Sequence, residues 1–157
     1  MDWLMIVLRL IHVGGGAMWV GMLFFVTFYL TPALAEAGPA ETGKVMAALQ
    51  KQRLMIVMPV IALLTIGSGL WMMMRLYGGP GNIAASRMGM ALNLGATAAI
   101  VAFLIGIIVM RPLMMRAMSA TDPAQAQKLR ERGASLSRWV ARLLMFALAA
   151  MAVARYL

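Results

Sequence analysis

The sequence predicts an all-α fold, a four-helix transmembrane bundle, and three observations lead to this class. Four apolar runs cover residues 4–30, 54–74, 88–110 and 140–157, and each is close to the roughly 20 residues that a helix needs to cross a bilayer. The chain is 63% hydrophobic and 12% charged, with a mean hydropathy of +0.86. Nearly all charges fall between the runs. A soluble domain of 157 residues cannot bury four such segments, so residues 1–157 are expected to form one integral membrane domain.

The first two spans are bounded by prolines and a loop. The N-terminus, Met1-Asp2, lacks the basic stretch of a signal peptide, so the first run is interpreted as a span. This span is expected to end at Thr31-Pro32, because proline cannot continue a helix without losing a backbone hydrogen bond. A short helix from Thr42 to Gln52 then leads into the second span.

Glycine and proline also mark the later boundaries. Gly78-Gly79-Pro80-Gly81 indicates a loop, and the third span is expected to close at Arg111-Pro112. Thr121-Asp122-Pro123 is a helix-start signal. We therefore expect a short amphipathic surface helix between helices 3 and 4, from Ala124 to Arg132, with Gly133 as its stop. The sequence shows no convincing internal repeat.

The distribution of basic residues predicts the orientation. Ten of the 14 Lys and Arg residues flank the loops after the first and third spans. They are Lys44, Lys51, Arg53, Arg111, Arg116, Lys128, Arg130, Arg132, Arg138 and Arg142. The positive-inside rule places them in the cytoplasm, so that both termini lie outside a bacterial-type inner membrane. The net charge of +9 is then explained by anionic lipid headgroups, and nucleic acid is not expected as a partner.

Few residues inside the spans could carry chemistry. The chain has no cysteine, and its acids lie at the terminus or in loops: Asp2, Glu36, Glu41, Asp122 and Glu131. Paired-carboxylate catalysis and acidic proton relays are therefore excluded from the bilayer core. We expect a protein without catalytic residues.

The first span carries one candidate site. Arg9 and His12 are placed on one helical face, which Gly16 and Trp19 continue. In one interpretation His12 is a metal ligand to haem iron or copper, with Arg9 and Trp19 beside the cofactor. In the other, His12 bonds to a neighbour, and the candidates are Thr65, Ser68, Asn93 and Thr97. The second is favoured because buried polar groups usually pair locally.

Methionine gives the copper interpretation little further support. Thioethers favour Cu(I), and the chain has 18 methionines. Methionine is also a common filler of irregular packing, so the cofactor is left open between haem b and copper.

Small residues are predicted to mediate helix packing. In lipid, close approach of helix backbones drives association. The predicted packing positions are Gly14, Gly15, Gly16, Gly21, Gly67, Gly69, Gly95 and Gly106, with Ala147, Ala150 and Ala154 on the fourth span. Consecutive glycines at 14–16 weaken the helix, so either another helix or a flat cofactor is expected to pack there.

Leu10-Ile11-His12 followed by Met18-Trp19-Val20-Gly21 resembles the first helix of the copper-resistance D-like integral membrane proteins. Similarity also extends to Pro32, to the 59–67 stretch and to residues 106–112, so that the resemblance runs over all four spans. It implies copper uptake or haem association through His12.

A more distant similarity is to the membrane-bound, haem-carrying protoporphyrinogen oxidase. That family uses a first-helix histidine, which His12 matches, and a third-helix lysine. The nearest basic residue here is Arg87, which cannot serve as a readily deprotonated amine. This difference argues against an enzyme.

Two functions follow. The leading prediction is a non-catalytic polytopic membrane subunit or accessory protein, packed with other subunits into a larger respiratory or photosynthetic assembly. The alternative is a copper-resistance D-like protein that binds or transports copper or haem b through His12.

Overall fold

The computed structural model describes residues 2–78, 82 and 86–157, and this part of the chain is helical with no strands. Its five helices are α1 (Trp3–Ala37), α2 (Pro39–Lys51), α3 (Leu54–Tyr77), α4 (Arg87–Ser119) and α5 (Pro123–Tyr156). All except α2 are long and apolar enough to cross a membrane. The predicted all-α fold with four spans is confirmed, as expected for a multi-pass membrane protein.

The four long helices pair as two hairpins. Helix α1 packs on α3 and α4 packs on α5, and the hairpins meet through α1 with α5 and α3 with α4. Their shared core consists of Trp19, Ala62, Ala102, Val140 and Leu144. Outside this core most large apolar side chains are exposed. That distribution suits a chain surrounded by lipid rather than water.

The two ends of the bundle differ in composition. One end, here called the terminal end, holds the starts of α1 and α4 and the ends of α3 and α5. Asp2 Oδ2 and Arg75 Nη2 lie 3.3 Å apart there. The opposite end, called the basic end, holds α2 and the α4–α5 connection. In the connection between α3 and α4, Gly78 adopts φ +72°, as the loop prediction requires, and Gly79–Gly81 lie outside the described residues.

The prolines expected to end the first and third spans do not end them. Five residues of π-helix, Val26–Leu30 and Gly106–Met110, precede Thr31-Pro32 and Arg111-Pro112. The N–H of the residue before each proline reaches the carbonyl five positions back. This wider turn accommodates a residue without an N–H that would clash in a regular α-helix. Helices α1 and α4 therefore continue to Ala37 and Ser119.

The expected surface helix before the fourth span is not a separate element. Asp122 caps the start as predicted, with Oδ1 accepting from Ala124 N at 3.0 Å and Oδ2 from Gln125 N at 3.3 Å. The helix then passes through Gly133 and continues as α5. A single helical glycine costs only about 1 kcal/mol, and here the flanking turns pack against α4. A Cβ on Gly133 would lie 3.7 Å from Leu113 Cδ2.

Helix α2 agrees with the short helix expected near residues 42–52. It begins after Gly38, whose φ of +99° turns the chain, and it is separated from α3 by Arg53 in a left-handed conformation. The Thr42 hydroxyl donates to the Leu34 and Gly38 carbonyls, both at 2.8 Å. These bonds fix the angle between α1 and α2.

The two hairpins share one arrangement of glycine, π segment and proline, which was not predicted from the sequence. Each first helix has a close-approach glycine, then a π segment, then proline as the second residue after it. Gly15 precedes its π segment by as many residues as Gly95 precedes the other. The two hairpins resemble each other only in the spacing of the glycine, the π segment and the proline, and not in their other residues. This spacing is therefore easily missed among apolar residues.

Candidate functional site

His12 lies between α1 and α3 and has a partner inside the chain. Its Nδ1 is 2.7 Å from the Thr65 carbonyl oxygen. A carbonyl can only accept, so Nδ1 carries the proton in this bond. Thr65 was among the predicted neighbours, but its backbone provides the contact. This placement supports the interpretation of His12 as a locally paired histidine.

Glycines on α3 and α1 make room for this contact. A Cβ on Gly69 would lie 2.6 Å from His12 Cε1 and 2.8 Å from Nδ1, which no real Cβ tolerates. A Cβ on Gly15 would lie 2.5 Å from Thr65 Oγ1. Both positions therefore require glycine if the imidazole and the threonine are to remain where they are. The α1–α3 hairpin is built around His12 and Thr65.

The hydroxyl groups beside His12 donate hydrogen bonds to backbone carbonyls of their own helix, α3. Thr65 Oγ1 donates to the Ile61 carbonyl at 2.8 Å. Ser68 Oγ donates to the Leu64 carbonyl at 2.6 Å and also lies 3.0 Å from the Thr65 carbonyl. The Thr65 carbonyl is thus approached by both Ser68 and His12. Among the described residues, no buried side-chain nitrogen or oxygen lacks a hydrogen-bond partner.

The other predicted site residues divide between the interior and the outside. Trp19 is buried in the core, with its ring edge-on to Phe103 at a centroid distance of 6.4 Å. Gly16 is half-buried, and a Cβ there would touch Thr65 Cγ2 at 3.5 Å. Thus His12, Gly16 and Trp19 do share an interface, and that interface lies within the chain.

Arg9 does not belong to the same interface. Its side chain is exposed and lines a shallow surface depression with Ile6, Leu10 and Val13. The inward face of α1 is centred on Leu8, Gly15 and Trp19, so Arg9 lies at its edge and points outward. No hydrogen bond or ion pair joins Arg9 to another residue within the part of the chain that the structure describes.

The predicted packing glycines fall into two groups. Four have neighbours near the position a Cβ would take, and these are Gly15, Gly16, Gly69 and Gly95. Gly95 faces α5, where a Cβ would lie 3.1 Å from the Ala147 carbonyl oxygen and 3.4 Å from Ala150 Cβ. The other four have open space among the described atoms, and these are Gly14, Gly21, Gly67 and Gly106. For the second group, the described residues provide no packing partner, and their role in helix packing stays a prediction.

Two polar contacts were not predicted from the sequence. Thr27 Oγ1 and Ser137 Oγ form a buried hydrogen bond of 2.5 Å that joins α1 to α5 near the basic end. The Arg142 guanidinium lies 5.0 Å from the Trp139 ring centroid on the outside of α5. The Thr27–Ser137 bond could have been suspected because each of two distant apolar helices carries a hydroxyl. Helical spacing of Arg and Trp was the signal for the Arg142–Trp139 contact.

The chemistry of this region is limited. No group of three or more His, Cys, Asp or Glu side chains that could hold a metal ion occurs among residues 2–78, 82 and 86–157. With Nδ1 protonated, the Nε2 atom of a neutral His12 ring remains an acceptor. One imidazole could supply one axial ligand and no more.

No family model, curated protein or solved structure matches this chain.

Proposed function

We propose that the chain is a non-catalytic subunit that packs against another membrane protein in a larger assembly of the respiratory or photosynthetic type. The observation that carries the proposal is the outward position of Gly14 and Gly21 on α1. Both are exposed, and apart from the adjacent residues and the backbone of the same helical turns, no described atom lies within 4 Å of the place a Cβ would take. Glycine costs about 1 kcal/mol relative to alanine in a helix. A glycine that faces lipid gains nothing to offset this cost, whereas a glycine that faces another helix lets the two backbones approach closely.

Helical spacing extends this outward face. Ala17 lies between Gly14 and Gly21 on the same side and is also exposed. We call Gly14, Ala17 and Gly21 the outer small face. Arg9 lies one to two turns nearer the terminal end and roughly 140° around the helix from Gly14, with the side chains of Ile6, Leu10 and Val13 between it and this face. An arginine at this depth either extends to the headgroups or meets a carbonyl or carboxylate of a partner. The proposal assigns Arg9 to the partner.

The absence of acids from the apolar parts of the spans supports a non-catalytic role. The five carboxylates lie at Asp2, Glu36, Glu41, Asp122 and Glu131, all exposed. The protein would lie in a bacterial-type inner membrane with its basic end in the cytoplasm and both termini outside. Its partners are lipid and other membrane subunits, and nucleic acid is not among them.

Purification in mild detergent tests this proposal. The wild-type chain should elute with a second protein at fixed ratio. Gly14→Leu should abolish that association without lowering the unfolding midpoint, because leucine fills space that the chain leaves empty. Ala149→Leu is the matched control, since Ala149 is exposed on α5, and it should retain the partner.

Arg9→Lys provides a second variant. Lysine keeps the charge but loses the planar fork of the guanidinium, so partner retention should fall. A wild-type chain that elutes alone, or a Gly14→Leu chain that keeps its partner, would refute the proposal.

One observation favours a second candidate, a copper-resistance D-like protein that binds copper or haem b through His12. A histidine that donates Nδ1–H to a carbonyl has its tautomer fixed with Nε2 available, as metal-binding histidines commonly do. An optical spectrum and metal analysis of the purified protein test this. A Soret band or stoichiometric copper that disappears in His12→Ala supports the candidate, and an unchanged spectrum and metal content reject it.

A further inference from the structure

The exposed face of α5 changes composition along its length. It carries two pairs of cations, each pair at i,i+4 spacing, and we call the four the basic stripe: Lys128 with Arg132, and Arg138 with Arg142. All four are exposed. Beyond Arg142 the same face continues with Phe146, Ala149 and Val153, which are exposed and apolar. The stripe therefore ends where the apolar surface begins, and the helix crosses from a charged to an apolar environment near Arg142.

Trp139 marks this boundary. Its side chain is 61% exposed, although the indole is the largest side chain in the segment. Tryptophan outside a core is typical of the membrane–water interface, where the ring is apolar and its N–H can be hydrated. The Arg142 guanidinium lies over this ring at 5.0 Å. The ring thus holds one arginine at the boundary.

Within the part of the chain that the structure describes, no ion pair joins the stripe to an acidic side chain. The ion pairs among the described residues are Lys44 with Glu41 and Arg75 with Asp2. Of the acids nearest the stripe, Asp122 caps α5, and Glu131 accepts from Gln127 Nε2 at 2.9 Å. Exposed cations that remain uncompensated next to an apolar surface attract anions that carry their own apolar groups.

We propose that the basic stripe is a binding site for the headgroup of an anionic phospholipid. The phosphate lies between Arg138 and Arg142, which are one helical turn apart on the same face, and Trp139 flanks it. The acyl chains run along Phe146, Ala149 and Val153. Charge complementarity selects the headgroup, and the apolar continuation of the face selects a lipid over a free anion. This site is independent of the outer small face on α1.

Lipid competition on the purified full chain tests the proposal. The protein in mild detergent is mixed with equal amounts of phosphatidylglycerol and phosphatidylcholine with identical acyl chains, and retained lipids are counted by native mass spectrometry. The wild type should prefer phosphatidylglycerol. Each arginine near an anionic headgroup raises the affinity about fivefold, so that R138Q/R142Q should lose about 25-fold of this preference.

Arg155→Gln is the matched control. Arg155 also lies beside an aromatic ring, 5.1 Å from the Tyr156 centroid, but at the terminal end. It should keep the wild-type preference, and both variants should keep the wild-type helix content by circular dichroism. Equal loss in Arg155→Gln, or an unchanged preference in R138Q/R142Q, overturns the proposal.

Competition with inorganic phosphate shows whether the site binds a lipid headgroup or a free anion. Phosphate added at the concentration of the lipid should leave phosphatidylglycerol bound, because it lacks the acyl chains that contact the apolar face. Displacement by phosphate would show a site for the free anion and would overturn the lipid assignment.

Discussion

At the scale of single residues, the imidazole of His12 determines the shape of the first hairpin. Its bond to the Thr65 carbonyl brings α1 close to α3, and Gly69 and Gly15 provide the space. A polar group in an apolar bundle must be paired. Here the imidazole N–H of His12 is paired with the Thr65 carbonyl, which the Ser68 hydroxyl also approaches. Glycine at position 69 of α3 follows from this requirement.

Gly69→Ala should destabilise the protein by about 1–3 kcal/mol, the usual cost of overpacking a fitted site. The new methyl group would meet the imidazole of His12. Gly67→Ala is the control on the same helix. It has open space and should be neutral or stabilising by up to about 1 kcal/mol. Unfolding in mixed detergent, followed by circular dichroism, measures both.

The His12→Ala background provides the internal check. With the ring removed, Gly69→Ala should cost less than about 0.5 kcal/mol, because double-mutant cycles separate contacting residues from independent ones. Equal costs in the two backgrounds would mean that the imidazole does not lie against Gly69.

At the scale of elements, the helices are longer than the apolar runs that predicted them. In α1 and α4 a π segment precedes the proline and lets the helix continue. In α5 the helix continues through Gly133, which packs against α4. In α1 the Thr31 hydroxyl adds a 2.8 Å bond to the Val26 carbonyl. The spans therefore extend beyond the apolar region at the basic end, where they support the charged residues.

Gly133→Ala should stabilise the protein by about 0.5–1 kcal/mol, because alanine is the better residue in a continuous helix. Its methyl group would make an ordinary contact with Leu113. Gly38→Ala is the contrasting variant, since Gly38 has a φ of +99° that alanine adopts only with strain. Thermal unfolding measures both. Destabilisation by Gly133→Ala would show that the helix breaks there after all.

The sequence predicted the fold well and the packing partly. Four apolar runs fixed the number of spans, and Asp122 marked the start of α5. Periodicity could not tell which glycines face inward, because Gly14 and Gly15 are adjacent and only the partner helix distinguishes them. Proline and Gly133 were misleading because their penalties of about 1–3 kcal/mol are small against tertiary packing. His12 was found because it is the single histidine, but its backbone partner could not be read from side-chain types.

At the scale of the molecule, two similar hairpins surround a small core. Trp19 contributes the largest side chain there, against Ala62 and Ala102 of the neighbouring helices. The Asp2–Arg75 pair closes the α1–α3 hairpin at the terminal end, and the Thr27–Ser137 bond joins the hairpins near the basic end. Charge is uneven between the ends, and this asymmetry predicts the orientation.

Cysteine labelling tests the orientation, since the chain has no native cysteine. Leu157→Cys, exposed at the terminal end, should react with a membrane-impermeant maleimide on intact cells. Ser119→Cys, exposed at the basic end, should react only after permeabilisation. The reverse pattern would place the basic end outside and would contradict the positive-inside assignment.

Photo-crosslinking in the intact membrane tests whether the outer small face of α1 contacts another protein. A photoreactive phenylalanine analogue at position 17, between Gly14 and Gly21, should give one discrete adduct of higher mass after illumination. The same analogue at position 149, exposed on α5, should react with lipid alone. A discrete protein adduct at 17 and none at 149 is the predicted result. If position 17 gives no protein adduct, this face of α1 lies against lipid and the proposed subunit contact does not exist.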